Sequence, residues 1–236
     1  MHINKDLERH AIPVALPAAF DGLDLGRTAA PASTGFYRNW TKRGLDLALI
    51  FMCSPFVLVL MVFMAAIVAL TSAGSPFYRQ ERVGLHGKTF TMWKLRTMIP
   101  NADAALARHL QSNPAARAEW ATTQKLKNDP RITRVGTILR RTSLDELPQL
   151  LNVLKGEMSL VGPRPMLPEQ QAMYPGAAYY RMLPGITGLW QISARNESAF
   201  AERAFFDSRY DAKMSFMTDL KTLLATVRVV TQATGH

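Results

Sequence analysis

One long apolar run constrains this chain more than any other feature. The segment LDLALIFMCSPFVLVLMVFMAAIVAL, from Leu45 to Leu70, contains a single charged residue, Asp46. About 20 consecutive apolar residues are enough to cross the hydrocarbon core of a bilayer. Because a helix this long and apolar on all sides does not suit a soluble domain, the run predicts a helix embedded in a membrane.

Two topologies are open for this helix. A plain transmembrane anchor accounts for its hydropathy, whereas Ser54-Pro55 near its middle favours a bend, since proline removes a backbone donor. Basic residues flank both ends of the run: Arg38, Lys42 and Arg43 before it, and Arg79, Arg82 and Lys88 after it. Basic flanks prefer the cytoplasmic side, so a helix broken at Ser54-Pro55 that re-enters the same face satisfies both flanks.

The composition predicts one folded unit that attracts anions. The chain has 236 residues, which suits one ordinary domain with a modest appendage. Its formal net charge of +10, from 28 Lys and Arg against 18 Asp and Glu, predicts a surface that attracts phosphates, nucleic acid or anionic lipid. The single cysteine, Cys53, cannot form an intramolecular disulfide and suits a reducing compartment.

Three parts follow one another along the chain. Residues 1–36 are rich in Ala, Pro and Gly, show no helical or strand period, and are predicted to form a mobile leader. Residues 37–72 hold the predicted re-entrant helix, and residues 73–236 are expected to form a small globular domain. Its expected class is α/β (mixed α+β), with amphipathic helices at the membrane interface.

Local patterns place the main elements of that domain. Ser75 to Met98 is predicted to form a β-hairpin, and Asn101 to Trp120 a helix interrupted at Asn113-Pro114. Leucines at positions 147, 150, 151 and 154 predict a short amphipathic helix. The last helix is expected from about Ser215 to Thr231, with an apolar face that either packs on the core or rests on lipid.

Two adjacent carboxylates, Asp145 and Glu146, stand at the predicted start of the leucine helix. Ser143 and Glu146 fit a capping box, so a purely structural role is open. Pro148 moves the expected helix start toward Asp145, where unpaired backbone N–H groups and Arg140 would bind a phosphate. An ionised carboxylate there can attack phosphorus, and paired carboxylates without histidine favour Mg²⁺ as the metal.

A second pattern encloses one arginine between two prolines. In SLVGPRP, which ends at Pro165, the rigid backbone around Arg164 reduces the entropy lost when its guanidinium clamps a phosphate or a base edge. A surface turn with a solvated arginine fits the same spacing. Trp190, in the later segment LPGITGLWQIS, is expected in the core.

Other kinds of chemistry lack a supporting motif. His86 and His109 have no second histidine or cysteine at zinc-ligand spacing. The chain has no GxxxxGK phosphate loop, GxGxxG turn or GxSxG elbow, and no nucleic-acid-binding motif accompanies its basic charge. A membrane-anchored binding or assembly protein, with the carboxylates serving as caps, is the alternative to an enzyme.

Four sequence blocks follow one another in a fixed order: YRQERVGLHGKTFTMWKLRTM, LKNDPRITRVGTILRRTSLDELPQLLNVLKGEMSLVGPRP, LPGITGLWQIS and TDLKTLLATVRVV. They resemble the monotopic phosphoglycosyl transferases, the bacterial sugar transferase family, and the similarity extends from about Arg38 to the C-terminus. The resemblance implies a re-entrant helix and an enzyme of the bacterial cytoplasmic membrane, with its catalytic domain on the cytoplasmic face. Its reaction would move a sugar 1-phosphate from a UDP-sugar to a polyprenyl phosphate in exopolysaccharide or glycoconjugate synthesis.

The same resemblance implies roles for single residues. Asp145 would displace UMP and form a covalent aspartyl phosphosugar, which the polyprenyl phosphate then attacks, while Glu146 shares in binding Mg²⁺. Four basic residues would bind the substrates or their phosphates: Arg140, Arg164, Lys94 and Arg195. The implied partners are the UDP-sugar, undecaprenyl or another polyprenyl phosphate and membrane lipid, without nucleic acid, and a homo-oligomer is compatible with the family.

Overall fold

A long helix opens the described part of the chain. The computed structural model describes residues 35–123, 126–193 and 200–231, so the predicted leader lies almost wholly outside the described residues. Helix α1 spans Lys42–Thr71 and follows one wide helical turn at Tyr37–Thr41. Within these ranges it is the one helix long and apolar enough to cross a membrane, and its apolar part is hardly buried in the protein.

The helical backbone of α1 continues through Ser54-Pro55 without a gap, and the bend predicted there stays a prediction. Proline has no N–H to donate, so the carbonyl of Phe51, four residues earlier, loses its usual partner. The hydroxyl of Ser54 donates a hydrogen bond of 2.9 Å to this Phe51 carbonyl. The serine therefore replaces the hydrogen bond that its neighbour removes, which matters where no water can replace it.

Two small two-stranded sheets lie in the described parts of the chain. Strands β1 (Phe77–Val83) and β2 (Thr89–Leu95) form the predicted antiparallel hairpin. Strands β3 (Ser159–Val161) and β4 (Gly185–Thr187) pair in parallel, and this sheet was not predicted. The two backbones of this sheet approach so closely that a Cβ atom added at Gly185 would lie 2.1 Å from the amide nitrogen of Gly162.

Helices make up most of the remaining structure. Their bounds are α2 (Ala102–Ser112), α3 (Pro114–Thr123), α4 (Arg134–Thr142), α5 (Gln149–Lys155), α6 (Leu189–Ser193), α7 (Arg203–Lys213) and α8 (Phe216–Thr231). The interruption at Asn113 between α2 and α3 is confirmed, and the side-chain oxygen of this residue accepts a hydrogen bond from the amide of Ala116. The mixed helix and strand content agrees with the predicted class, with helix dominant.

The parts of α1 before and after its exposed middle, called here its first and second arms, both pack against the globular part of the chain. In the first arm, Ile50 belongs to a buried cluster with Met92 of β2 and Val153 of α5. In the second arm, Val68 belongs to a cluster with Leu95, three residues further along β2. Between the arms the apolar side chains are exposed, among them Phe51, Met52, Phe56, Val59, Val62 and Phe63.

Helix α8 is polar on its buried side and apolar on its exposed side. Asp219 and Thr222 are each 1% exposed, whereas Phe216, Leu224 and Val227 are at least half exposed. Its bounds match the predicted helix to within one residue. Of the two positions open for its apolar face, both occur: Leu223 packs against the core cluster that contains Tyr210, whereas the exposed side chains lie off the core, an arrangement suited to contact with lipid.

The same inversion occurs in α5. Gln149 and Asn152 are buried, whereas Leu151 and Leu154 are about 40% exposed. The leucine periodicity correctly predicted a helix, but two of the leucines do not face the protein core. The helix also begins later than predicted, at Gln149.

A buried polar junction joins the base of α1 to α8. The carboxylate of Asp219 accepts hydrogen bonds from Lys42 at 2.6 Å, from the Tyr37 hydroxyl at 2.7 Å and from the Tyr210 hydroxyl at 2.6 Å. Asp46, the single charge of the apolar run, accepts a bond of 2.7 Å from the Ser159 hydroxyl. The charged groups at the helix base are therefore satisfied inside the protein.

We expect Asp219→Asn to destabilise the fold strongly. Substitution of one partner leaves the Lys42 ammonium buried without its counter-charge, which typically costs about 3 kcal/mol or more. Unfolding in detergent, followed by circular dichroism, measures the change. Asp103→Asn, at an exposed aspartate of α2, is the control and should have little effect. Equal stability of the two variants would contradict a structural role for the junction.

Candidate active site

A single tight turn carries the two carboxylates. Helix α4 ends at Thr142, Ser143 takes a left-handed conformation with φ of 57°, and Leu144–Glu146 then form one 3₁₀ turn. Positive φ at a residue other than glycine is uncommon and is associated with sites that constrain the backbone. The turn places Asp145 in a position where it is only 7% exposed.

The turn that carries the carboxylates shows neither the predicted capping box nor the predicted helix start at Asp145. Ser143 makes no side-chain cap to the turn, so the capping box with Glu146 is not formed. Asp145 also does not stand at the start of α5, because the amides of Glu146 and Leu147 are already bonded to the carbonyls of Ser143 and Leu144. The predicted start of the leucine helix at Asp145 is therefore wrong, and the phosphate site inferred from it stays a prediction.

Two of the predicted basic residues meet the carboxylates. The ammonium of Lys94, near the end of β2, lies 2.9 Å from Oε1 of Glu146 and 3.9 Å from Oδ2 of Asp145. The guanidinium of Arg164 lies 3.7 Å from the same Glu146 oxygen, and its side chain is 37% exposed. The structure thus joins β2, the 3₁₀ turn and the proline-flanked segment in one cleft, which Arg82, Gln149 and Gly185 also line.

Arg140 acts on the site mainly through its charge. Its Nε donates a hydrogen bond of 2.9 Å to the hydroxyl of Thr97, and burial lowers the pKa of its guanidinium, while the charges of Asp145 and Asp129 oppose that change. Arg195 lies outside the described residues, so its predicted role stays a prediction. Trp190 is buried, as the sequence predicted.

The environment of Asp145 makes its carboxyl group unusually basic. Burial raises the pKa of Asp145 above its ordinary value, and the neighbouring charge of Glu146 adds to the rise. The positive charges of Lys94, Arg140 and Arg164 act in the opposite direction. A carboxylate that is poorly hydrated and more basic than usual is a better nucleophile once ionised, and the cations favour its ionised form.

The carboxylate pair suits a metal that is also bound by substrate phosphates. In the described ranges no cluster of three or more His, Cys, Asp or Glu side chains could hold a metal. Mg²⁺ in phosphoryl-transfer sites commonly takes one or two carboxylates and completes its shell with phosphate oxygens and water. Asp145 and Glu146 fit this incomplete donor set, with Lys94 occupying part of the same space.

Sequence reasoning did not identify Asn152, which holds the two sides of the cleft together. It is 0% exposed, its oxygen accepts a bond from the amide of Trp93 at 3.1 Å, and its amide donates to the carbonyl of Thr91 at 2.7 Å. These bonds fix α5, which follows the carboxylate turn, against β2 immediately before Lys94. A buried asparagine in a leucine-rich helix was the available signal.

Replacing Asn152 with alanine should destabilise the protein by about 2 kcal/mol or more. The substitution leaves a backbone donor and a backbone acceptor of β2 without partners, and each unsatisfied buried group costs about 1–3 kcal/mol. Thermal unfolding in detergent tests this. Leu151→Ala, at an exposed position of the same helix, is the matched control. A variant at position 152 that unfolds at the control's temperature would remove the clamping role.

Comparison with known proteins places the chain in a family. The bacterial sugar transferase family matches residues 37–233. The chain is 45% identical over 215 residues to the exopolysaccharide production protein ExoY of Sinorhizobium fredii, covering 87% of this chain and 93% of that protein.

Two longer relatives carry names that state a reaction. The chain is 44% identical over 204 residues to the undecaprenyl-phosphate galactose phosphotransferase of Salmonella typhimurium, covering 84% of this chain and 42% of that protein. It is 37% identical over 196 residues to the UDP-glucose:undecaprenyl-phosphate glucose-1-phosphate transferase of Escherichia coli, covering 79% and 39%. As the family match extends over most of the chain and includes every described residue of the cleft, the protein belongs to the bacterial sugar transferase family.

Proposed function

We propose that this chain transfers a sugar 1-phosphate from a UDP-sugar to undecaprenyl phosphate, or another polyprenyl phosphate, and releases UMP. The observation that carries the proposal is the buried Asp145 beside Glu146, with Lys94 and Arg164 in contact with the pair. The names of the Salmonella and Escherichia relatives support the donor and acceptor classes. Such a transfer would be the first membrane step of exopolysaccharide or glycoconjugate synthesis.

The reaction would proceed by two displacements at one phosphorus atom. A carboxylate oxygen of Asp145 attacks the sugar-bearing phosphorus, the bond to the neighbouring phosphate breaks, and UMP leaves with that electron pair. An oxygen of the polyprenyl phosphate then attacks the same phosphorus and breaks its bond to Asp145. The bond between the sugar and its oxygen stays intact throughout, so the anomeric configuration is retained.

The neighbouring side chains orient the substrates and balance charge in both steps. Lys94 and Arg164 lie where phosphate oxygens would approach the carboxylates, and charge-assisted hydrogen bonds from such groups are short and strong. We also propose that Asp145 and Glu146 hold Mg²⁺ together with the donor's phosphates. The metal would supply positive charge to neutralise the oxygens of the diphosphate.

We further propose that α1 is re-entrant and that both of its ends lie on the cytoplasmic face of the bacterial membrane. Ile50 and Val68 both pack on the globular domain, through Met92 and Leu95 of one strand. A straight helix would separate Ile50 from Val68 by about 27 Å, whereas Met92 and Leu95 are about 10 Å apart along the strand. A bend within the exposed middle of α1 would relieve this mismatch and place the apolar apex in lipid.

A covalent adduct on Asp145 is the decisive test of the mechanism. Supplied with UDP-sugar but no acceptor, the wild-type protein should gain the mass of a phosphosugar on a peptide that contains Asp145, measured by mass spectrometry. Asp145→Asn keeps the size of the side chain but removes the nucleophilic charge, so turnover should fall to background. A variant with nearly full activity, or transfer without any adduct, would contradict the proposal, and an adduct on Glu146 would reverse the two roles.

Removal of divalent metal should abolish UMP release. Chelation by EDTA leaves the donor's diphosphate without the positive charge that we assign to Mg²⁺, and added Mg²⁺ should restore the rate. Coupled detection of UMP with a panel of UDP-sugars measures this and also identifies the sugar. Full activity after exhaustive chelation would show that Lys94 and the arginines suffice.

Cysteine labelling tests the topology of α1. Thr41→Cys and Ser75→Cys should both react with a membrane-impermeant reagent from the cytoplasmic side, because both residues are exposed and flank the helix. The native Cys53 is exposed, so it must first be replaced by alanine. Reaction of the two sites from opposite faces would establish a spanning helix instead.

A further inference from the structure

Three arginines surround one buried cluster next to the cleft. The cluster contains Val83 of β1, Ala204 of α7 and Met166, which directly follows Pro165. Arg82 immediately precedes Val83, Arg203 immediately precedes Ala204, and Arg164 stands two residues before Met166. The packing of the cluster therefore brings the backbone at these arginines, from three distant parts of the chain, into one neighbourhood, where the charge of Arg164 acts on Arg82 and on Arg203.

Arg82 is bound to neutral groups only. One of its terminal nitrogens donates to the carbonyl of Pro165 at 3.1 Å, and the other donates to the side-chain oxygen of Gln80 at 2.6 Å. Its Nε is buried and has no hydrogen-bond partner in the described structure. The contact with Pro165 ties Arg82 to the segment that carries Arg164, and both arginines line the cleft that contains Glu146.

Arg203 stacks on aromatic rings and forms no ion pair with an acidic side chain in the described ranges. Its guanidinium carbon lies 4.2 Å from the ring centre of Trp190 and 4.6 Å from that of Phe200. Its Nε is also buried without a hydrogen-bond partner, and neither it nor Arg82 forms an ion pair within the described ranges. Stacking fixes the plane of a guanidinium group but leaves its N–H donors unused.

The three positive charges repel one another. Burial, followed by the charge of Arg164, lowers the pKa of Arg82 and that of Arg203 to about 10, so both groups are still charged near neutral pH. Asp207 and Glu169 favour the charged forms only at a distance. A partly buried charge without a counter-ion costs free energy, and a bound anion would offset that cost.

We propose that Arg82 and Arg203, together with Arg164, form the site that binds the phosphate of the departing nucleotide. This inference rests on the proposed function. Arg164 lies 3.7 Å from the carboxylate of Glu146, the neighbour of Asp145, and lines the same cleft as Arg82, so it connects the carboxylate pair to the other arginines. In a nucleoside diphosphate sugar the sugar-bearing phosphate is bonded directly to the phosphate of the nucleotide. The phosphate under attack would lie at Asp145, and the next one at Arg82 and Arg203.

This position has a direct consequence for the reaction. When the bond between the two phosphates breaks, negative charge grows on the phosphate that leaves, and planar guanidinium groups can bind its oxygens through paired hydrogen bonds. Arg82 and Arg203 would stabilise that charge without touching the phosphorus under attack. They are therefore residues for binding the leaving group, distinct from the groups around Asp145.

The test measures binding of UMP and of uridine to the full chain in nanodiscs by calorimetry. Arg82→Gln and Arg203→Gln should each weaken UMP binding by about tenfold or more, since hydrogen bonds to charged groups are among the strongest in proteins. Uridine, which lacks the phosphate, should bind equally to wild type and variants. Arg209→Gln, at an exposed arginine of α7, removes the same charge and should bind UMP like the wild type.

Steady-state kinetics distinguish binding of the UDP-sugar donor from binding of the undecaprenyl phosphate acceptor. The two glutamine variants should raise the KM for the UDP-sugar and leave that for undecaprenyl phosphate unchanged. A rise for undecaprenyl phosphate alone would assign the cluster to the acceptor and overturn the proposal. Unchanged UMP affinity in folded variants would overturn it as well.

Two further comparisons keep the result interpretable. If a glutamine variant does not fold, Arg82→Lys and Arg203→Lys replace it, since lysine keeps the charge but loses the paired hydrogen bonds of the guanidinium group. Each lysine variant should weaken UMP binding severalfold. Unchanged UMP affinity in the lysine variants would count against the site. The binding assay does not depend on turnover. Absence of UMP release in the wild type would reject the proposed function, whereas normal release with unaltered UMP affinity in the variants would reject only the arginine site.

Discussion

The buried ion pair between Lys42 and Asp219 is the interaction on which the arrangement of the chain depends. It joins the base of the apolar helix to the last helix, and two tyrosine hydroxyls complete the hydrogen bonds of the carboxylate. Paired buried charges add little net stability, but removal of one partner is costly. The pair therefore specifies where the apolar helix meets the last helix of the globular part.

Helices α5 and α8 both bury polar side chains and expose apolar ones. A helix at a membrane surface meets lipid on one side and protein on the other, so its apolar side chains can face outward. In α8 the inward side carries Asp219 and Thr222, and in α5 it carries Gln149 and Asn152. The polar inner side of α5 is also what holds β2 and Lys94 in register with the carboxylate turn.

Uncompensated charge is the common physical feature of the cleft. Asp145 is buried beside a second carboxylate, and the Nε atoms of the partly buried Arg82 and Arg203 have no hydrogen-bond partner in the described structure. Each arrangement costs free energy in the folded protein, and each is relieved by a ligand that carries phosphate groups. Strained or unsatisfied groups of this kind concentrate where proteins bind substrates.

The sequence alone determined the apolar helix, the hairpin, the last helix and the family, because these depend on local periodicity and on long runs of residues in order. It also singled out Asp145, Glu146, Lys94 and Arg164, which the fold brings together. Tertiary structure decided the rest. Capping by Ser143 and a helix start at Asp145 were reasonable from local rules, but Ser143 makes no cap and the backbone forms a separate 3₁₀ turn at Leu144–Glu146. The parallel β3–β4 pair, the clamp at Asn152 and the arginine cluster join residues far apart in the chain, and no local pattern encodes such contacts.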